Sequence, residues 1–409
     1  MGHNDLVNSR VRVADSGTVA DGIERMLAGS GTILRLADPN RTPDPLDEDG
    51  IPEGFTGVLV STSGSTGTPK TVMLSREALI AAAQAGIDRL GGPGSWANPL
   101  PGWYVAGLMT RVRALVGGKP YAEVSPHLEN LPVAEGRAYI SLVPAQLHRC
   151  LSDDEICRVL TSYSAVLIGG AHLDESLHTR AEQAGMRIVT TYGMSETCGG
   201  VVYDGIPLDG IDVSLNPDPL DRKEMLFPGV ECRPMHTLGV ENRTYDNPRP
   251  DETTTLPGEG RIRISGPTVF EGYLGDPELT AWVRDGNSFL TNDRGRIVDG
   301  RLRVLGRVDD VVQSGGTNVD LSEIQHLLDK EFPHQVACFA QPDPVWGSTV
   351  VVASAGPTLD EIWTQLEPHL ESAAKPRGIL IVDALPRTSS GKIDREQVVR
   401  MWRNSGERA

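Results

Sequence analysis

The sequence predicts an α/β fold: a large N-terminal domain of helix-covered sheets that carries a β-rich subdomain, followed by a small C-terminal α+β domain. Between Gly57 and about Ile188, short apolar strand-like runs alternate with helical ones, the pattern of a mainly parallel sheet covered by helices. After Gly205 the texture changes to short strands separated by Pro/Gly turns, and beyond Asp309 the chain carries strands and helices of its own. A final unit of about 100 residues suits an independent domain, so the expected division is 1–308 and 309–409.

Taken in order, residues 38 to 55 are rich in Pro, Asp and Gly and read as a surface connection. Gly57–Val60 and Thr71–Leu74 read as strands, and Ser75 is placed to cap a helix from Arg76. Ala78–Leu90, Ala145–Leu151 and Asp174–Ala184 have helical spacing, while Ala138–Leu142, Ala165–Ile168 and Met186–Thr191 are extended. In Arg261-Ile262-Arg263-Ile264 strict alternation puts arginines on one face and isoleucines on the other. Asp299-Gly300, between Ile297-Val298 and Arg301-Leu302, is a hairpin signal, because Asp-Gly suits a two-residue turn with positive φ. In the last hundred residues strands are expected at 335–339, 349–353 and 378–382, and helices at 321–331, 359–372 and 394–402.

The segment Val60-Ser61-Thr62-Ser63-Gly64-Ser65-Thr66-Gly67-Thr68-Pro69-Lys70 packs hydroxyls, two glycines and a lysine between two apolar runs. Glycines let amide N–H groups approach phosphate oxygens, hydroxyls add donors and Lys70 adds charge. A Walker loop would need Gly-Lys-Ser/Thr leading into a helix. Here Pro69 holds the glycine position and β-branched residues follow Lys70, which argues against that class. Taken alone, a Gly/Ser run is most often an unliganded surface loop.

With 409 residues and 39% hydrophobic content, the chain can bury a sizeable core. Its net charge of −17 argues against nucleic acid or an anionic membrane as main partner. Five cysteines without a C-x-x-C pair fit neither zinc nor a disulfide framework. No apolar leader follows Met1, and Leu6 stands where a myristoylation site needs Ser or Thr. A cytoplasmic enzyme is expected.

Four further segments follow the phosphate loop in order: Ile168-Gly169-Gly170-Ala171; Thr190-Thr191-Tyr192-Gly193-Met194-Ser195-Glu196; Leu290-Thr291-Asn292-Asp293-Arg294-Gly295 with Gly306-Arg307-Val308-Asp309-Asp310; and Pro386-Arg387-Thr388-Ser389-Ser390-Gly391-Lys392. The set resembles the acyl-adenylate-forming superfamily of acyl-CoA synthetases, luciferase and peptide-synthetase adenylation domains, from about Gly57 to Arg395. The resemblance implies that an acid and ATP give an acyl-adenylate, and that the C-terminal domain then rotates so that CoA or a carrier thiol displaces AMP.

The same resemblance implies a role for each residue. Thr62, Ser63, Gly64, Ser65, Thr66, Gly67 and Lys70 would hold the β- and γ-phosphates, and Glu196 would bind Mg²⁺, a hard cation that takes carboxylate oxygen. Gly169, Gly170 and Ala171, with Thr191, Gly193 and Ser195, would border the nucleotide, and Tyr192 would stack on adenine. Asp293 would accept from the ribose hydroxyls, assisted by Arg307. Tyr104, Gly193, Met194 and Gly200 would line the acyl pocket, Asp309 would be the hinge, and Gly315 and Gly316 would line the CoA channel. Lys392, with Thr66 and Glu196, would act on the reaction itself, its ammonium offsetting charge in the transition state. The bland readings are a Gly-Gly turn for Gly169-Gly170, surface ion pairs for Asp293 and Arg307, and a solvated charge for Lys392.

Two departures stand out. The segment before the phosphate loop is only about 60 residues, short for the family, so part of the usual N-terminal subdomain is expected to be missing or replaced, with a homodimer contact as one substitute. In Leu100-Pro101-Gly102-Trp103-Tyr104-Val105-Ala106-Gly107 the family usually has a histidine where Tyr104 stands. With Ser141–Leu147, these features look most like the o-succinylbenzoate CoA ligases of menaquinone biosynthesis. Such an acid carries a second carboxylate, for which Arg111, Arg113, His148 and Arg149 are the candidate partners. The alternatives are another aryl- or acyl-CoA synthetase, a carrier-loading adenylation enzyme, and a nucleotide binder without activity.

Overall fold

The computed structural model describes residues 11–14, 19–39, 45–62, 70–216, 258–343, 345–388 and 393–405. Among these, four sheets form, three in a large N-terminal α/β part and one in a smaller C-terminal α+β part. The first sheet orders Val11–Ala14, Ile33–Leu36, Gly57–Thr62, Lys70–Ser75 and Gly272–Tyr273; the first three are parallel, and the remaining pairings are antiparallel. The second has seven strands, with Tyr121–Glu123, Ser95–Asn98, Ala138–Leu142, Ala165–Ile168 and Ile188–Met194 parallel, then Gly199–Tyr203 and Ile206–Pro207 antiparallel. The strand–helix alternation therefore feeds two of the helix-covered sheets.

The reason lies in the helix Arg76–Arg89. Ser75 caps it, its hydroxyl accepting from Ala78 N at 3.4 Å. Its small side chains allow close packing on both sides: Ala78, Leu79, Ala82 and Ala83 join the core of the first sheet, and Ala85 joins that of the second. Covered on both faces, the strands of each sheet read as continuous apolar runs, so sequence texture does not separate them.

The third sheet holds Asp212–Asn216, Glu259–Ser265, Ser288–Val298, Arg284–Asp285 and Arg301–Arg307. Its hairpin turns at Asp299 and Gly300, with φ of 51° and 73°, as Asp-Gly requires. Ile262 and Ile264 are buried as expected, but Arg261 on the opposite face is buried too. Its guanidinium bonds Thr291 O and Asn292 Oδ1 and lies over Trp282, so the arginine face is covered rather than solvated.

The fourth sheet, Thr317–Asp320, Val311–Ser314, Gly347–Ser354, Val336–Asp343 and Gly378–Ile381, has two apolar faces. Cys338, Val350 and Val352 pack under the helices Leu321–Glu331 and Leu359–Leu366, while Phe339, Val351 and Ala353 pack under Arg395–Ser405. The second of these helices stops at Leu366, short of residue 372, because Pro368 has no N–H to continue it. No helix among the described residues is long and apolar enough to cross a membrane.

Candidate active site

Thr62 pairs with Lys70 across the antiparallel hairpin of the first sheet, and its hydroxyl donates to Lys70 O at 3.3 Å. Thr62 and Lys70 are the last pair of this two-strand stem. Ser63, Gly64, Ser65, Thr66 and Gly67 lie outside the described residues, as does Lys392.

Beside this stem the strand Ile188–Met194 ends in a short turn, Ser195–Thr197, that swings Glu196 inward. The reversal is built from local features. Thr197 accepts from Met194 N at 3.0 Å and donates to Gly199 O at 2.8 Å, and buried Cys198 takes the left-handed conformation at φ 55°. A non-glycine residue held there is strained, a feature common at functional turns. Gly193 lets the returning strand close, since a Cβ there would sit 1.9 Å from Gly199 O. Glu196 is half-buried, and loss of water raises its carboxyl pKa, opposed by a hydrogen bond from Tyr273 and by the charges of Lys70 and Arg307. Tyr273 Oη donates to Glu196 Oε1 at 2.8 Å, and Lys70 Nζ stands 5.3 Å from the centroid of the same ring.

The nucleotide-side candidates also converge. Tyr192 Oη donates to Asp293 Oδ2 at 2.7 Å, Arg307 Nη1 lies 3.9 Å from Asp293 Oδ1, and Arg307 grips Asp309 through two bonds of 2.7 Å. Thr191 Oγ1 donates to Ile168 O at 3.3 Å, tying the two strand ends together. A Cβ on Gly169 would meet Thr191 Oγ1 at 2.4 Å, and Gly170 has φ 83°. Ala171 and Ser195 border the same strand ends. Gly315 and Gly316 form the tip of the hairpin Val311–Ser314/Thr317–Asp320, with Gly315 pressed on Trp346.

Around the expected acyl positions, Asn98 fixes the loop before helix Val105–Val116 by bonding Leu100 O at 2.8 Å and accepting from Leu100 N at 3.1 Å. Tyr104 is the N-cap of that helix, and Met194 is half-buried between two cores. One turn apart on the helix, Met109 and Arg113 share a face. A Cβ on Gly199 would meet Met109 Cγ at 3.6 Å, and one on Gly200 would meet Tyr203 Cε1 at 3.4 Å. Tyr203 Oη and Arg113 Nε in turn face one spot on Gly86, 3.1 and 3.0 Å from where its Cβ would be.

The four cationic candidates are thereby separated. Arg111 pairs with Glu123 at 3.8 Å and lies over Tyr121, Arg149 is exposed, and His148 packs edge-on against His334. Arg113 is only 4% exposed; it stacks on Trp96, and its Nε and the Tyr203 hydroxyl have no hydrogen-bond partner. Sequence reasoning named Arg113 as one of four equal candidates and missed Tyr203 and Tyr273. The Gly272-Tyr273 doublet had no local signal of function, because its role depends on pairing with Val72 and Met73 some two hundred residues earlier.

A hairpin stem carrying Lys70, a carboxylate on an inward turn and a Tyr–Asp–Arg cluster at a strand end are the described parts of the expected ATP site. The chain belongs to the AMP-binding enzyme family: that family's pattern matches residues 38–274, and the AMP-binding enzyme C-terminal domain matches 327–392. The class is that of the AMP-forming acid–thiol ligases, which activate a carboxylic acid as its adenylate.

Among individual relatives, the chain is 33% identical over 407 residues to "Probable 2-succinylbenzoate–CoA ligase" of Mycobacterium tuberculosis (strain ATCC 25618 / H37Rv), covering 93% of this chain and 94% of that protein. It is 28% identical over 346 residues to 2-succinylbenzoate–CoA ligase of Enterococcus faecalis, covering 82% and 67%. The fold matches o-succinylbenzoate coenzyme A synthetase from Bacillus subtilis in complex with AMP, with TM-score 0.67, 22% identity and coverage of 94% and 82%. It also matches ATP-bound MatB from Rhodopseudomonas palustris, with TM-score 0.68, 22% identity and coverage of 97% and 80%.

Proposed function

We propose that this chain is an ATP-dependent ligase that joins o-succinylbenzoate to CoA through an acyl-adenylate, the reaction that supplies menaquinone biosynthesis. The observation that carries the substrate is Arg113, a buried guanidinium whose Nε has no hydrogen-bond partner and which pairs with no carboxylate among the described residues, one helical turn from Met109, which borders Gly199. A buried cation without a counter-charge is costly. A substrate with a second, non-reacting carboxylate supplies the missing partner, and the names of the two curated relatives agree.

In this reading Lys70, Thr62 and the intervening loop hold the polyphosphate, and Asp293, kept in place by Tyr192 and Arg307, accepts from the ribose hydroxyls. Glu196 is a hard oxygen donor on an inward turn, and one carboxylate plus substrate phosphates is the usual Mg²⁺ arrangement, so the residues fit that ion. When bound, it would offset charge on the phosphates. The unit 309–409 moves about Asp309 between adenylation and thiol attack, with Gly315 and Gly316 on the thiol path, and Lys392 serves the first half-reaction.

The test compares kcat/KM for o-succinylbenzoate, benzoate and a medium-chain fatty acid with ATP and CoA, in the wild-type enzyme and in Arg113→Met. The diacid should be preferred, and Arg113→Met should lower its kcat/KM about a hundredfold, as loss of a buried charge partner does, while leaving benzoate nearly unchanged. A monoacid that equals or beats the diacid in the wild-type enzyme would overturn the substrate and leave the adenylate chemistry intact.

A further inference from the structure

Tyr273 lies outside every motif that marks the site, yet it touches two of its charged groups. It occupies a two-residue strand, Gly272–Tyr273, paired with Val72 and Met73 of the strand that begins at Lys70. Its backbone N–H donates to Thr280 Oγ1 at 2.9 Å, and its ring packs edge-on against Phe270 at 4.9 Å between centroids. Phe270 N donates to Glu196 O at 2.9 Å, so the segment bearing Tyr273 is bonded to the backbone of the inward turn as well as to the carboxylate. The ring face is turned to the Lys70 ammonium and the hydroxyl to Glu196 Oε1. The phenol thus separates a cation from a carboxylate that would otherwise be free to pair directly.

We infer that Tyr273 is a positioning residue that keeps Lys70 and Glu196 apart and aimed, so that the ammonium serves phosphate oxygens and the carboxylate serves the divalent cation of the nucleotide. The inference rests on the reading of Glu196 as the Mg²⁺ ligand. A side chain fixed by a strand pairing and a buried neighbour ring holds both groups before the nucleotide arrives, which lowers the ordering cost of binding. Without the hydroxyl, Glu196 can turn toward Lys70 and form an ion pair that Mg²⁺·ATP must break.

Tyr273→Phe keeps the ring and removes only the hydrogen bond; Tyr273→Leu removes both contacts. ATP binding is measured by calorimetry at a series of Mg²⁺ concentrations and again in EDTA, alongside the melting temperature, for both variants and for Glu196→Gln. Tyr273→Phe should raise the Mg²⁺ concentration needed for half-maximal enhancement of ATP binding about tenfold, with a smaller loss of affinity in EDTA because the ion pair also occupies Lys70, and with the melting temperature unchanged. Tyr273→Leu should also weaken binding in EDTA by several-fold. If Glu196→Gln shifts the Mg²⁺ dependence and Tyr273→Phe does not, the positioning role is overturned; if Glu196→Gln does not shift it, the reading of Glu196 fails and the inference falls with it.

Discussion

At Asp293 the carboxylate meets Tyr192 on one oxygen and Arg307 on the other, a geometry that leaves it aimed rather than neutralised. Tyr192 donates to one oxygen at 2.7 Å, while Arg307 stands 3.9 Å from the other and spends its close contacts on Asp309. The expected outcome for Asp293→Asn is an ATP affinity about tenfold lower, the scale of a hydrogen bond to a charged group. Affinity for 2′,3′-dideoxy-ATP should barely change. Equal losses for both nucleotides in a binding titration would show that Asp293 acts elsewhere than on the ribose. The expected stacking role of Tyr192 gains a second function here, since its hydroxyl is committed to Asp293. From sequence, Tyr192 and Asp293 were each legible through their motifs, but their bond joins positions 101 residues apart, and no local pattern reports it.

The elements that carry these residues were legible where local chemistry decides structure. Ser75 as a cap, Asp299-Gly300 as a turn and the strands Ala138–Leu142 and Ala165–Ile168 all follow from residue type and spacing. The hairpin Val311–Ser314/Thr317–Asp320 was not seen, because Gln313, Ser314, Thr317 and Asn318 carry no apolar alternation and pairing rests on the Gly315-Gly316 turn. The split into two sheets was hidden because both are covered on each face. What sequence could not supply at the site was depth: Gly193 reads as bordering the nucleotide and the acyl pocket, whereas the structure also gives it a steric duty. A Cβ at 1.9 Å from Gly199 O cannot be accommodated without parting the strands Ile188–Met194 and Gly199–Tyr203, from whose junction Glu196 projects. Gly193→Ala should cost about 2 kcal/mol or more, as overpacking against backbone does, read as a lower denaturant midpoint at constant m-value. Adenylate formation should fall further than stability alone explains, because the turn bearing Glu196 moves with the strand. A variant as stable and as active as the parent would mean the strands separate without cost.

Across the whole molecule, the C-terminal unit meets the large part through two histidine pairs that share no sequence motif. His326, on helix Leu321–Glu331, stacks 4.3 Å from His172, and His334 lies edge-on 4.9 Å from His148. Burial lowers the pKa of His172 and His334 and brings His326 down to about 4, with His172 adding repulsion in the last case. The charged neighbours are Asp174 on the large part and Arg387 and Asp329 on the C-terminal unit. Asp329 works in the opposite sense: burial raises it to about 6. The signs can be followed through the pH range. An imidazole whose pKa is depressed on docking binds its proton better undocked, so its contribution to docking is full above the free value of about 6.5 and is lost as pH falls below it. Asp329 opposes this as it takes up its proton near pH 6, but between pH 7 and 6 three depressed imidazoles outweigh one raised carboxyl and set the direction. Lowering the pH from 7.5 to 6 should therefore loosen the docked arrangement, reversibly and before global unfolding. Small-angle scattering should show a larger radius of gyration at the lower pH, and a fluorophore pair placed on the two parts should show lower transfer. His326→Gln with His334→Gln, which keeps polar bulk without a titrating ring, should flatten both profiles. A double variant that still opens at pH 6, or a parent whose scattering is the same at both pH values, would show that the histidine pairs do not govern how the two parts meet.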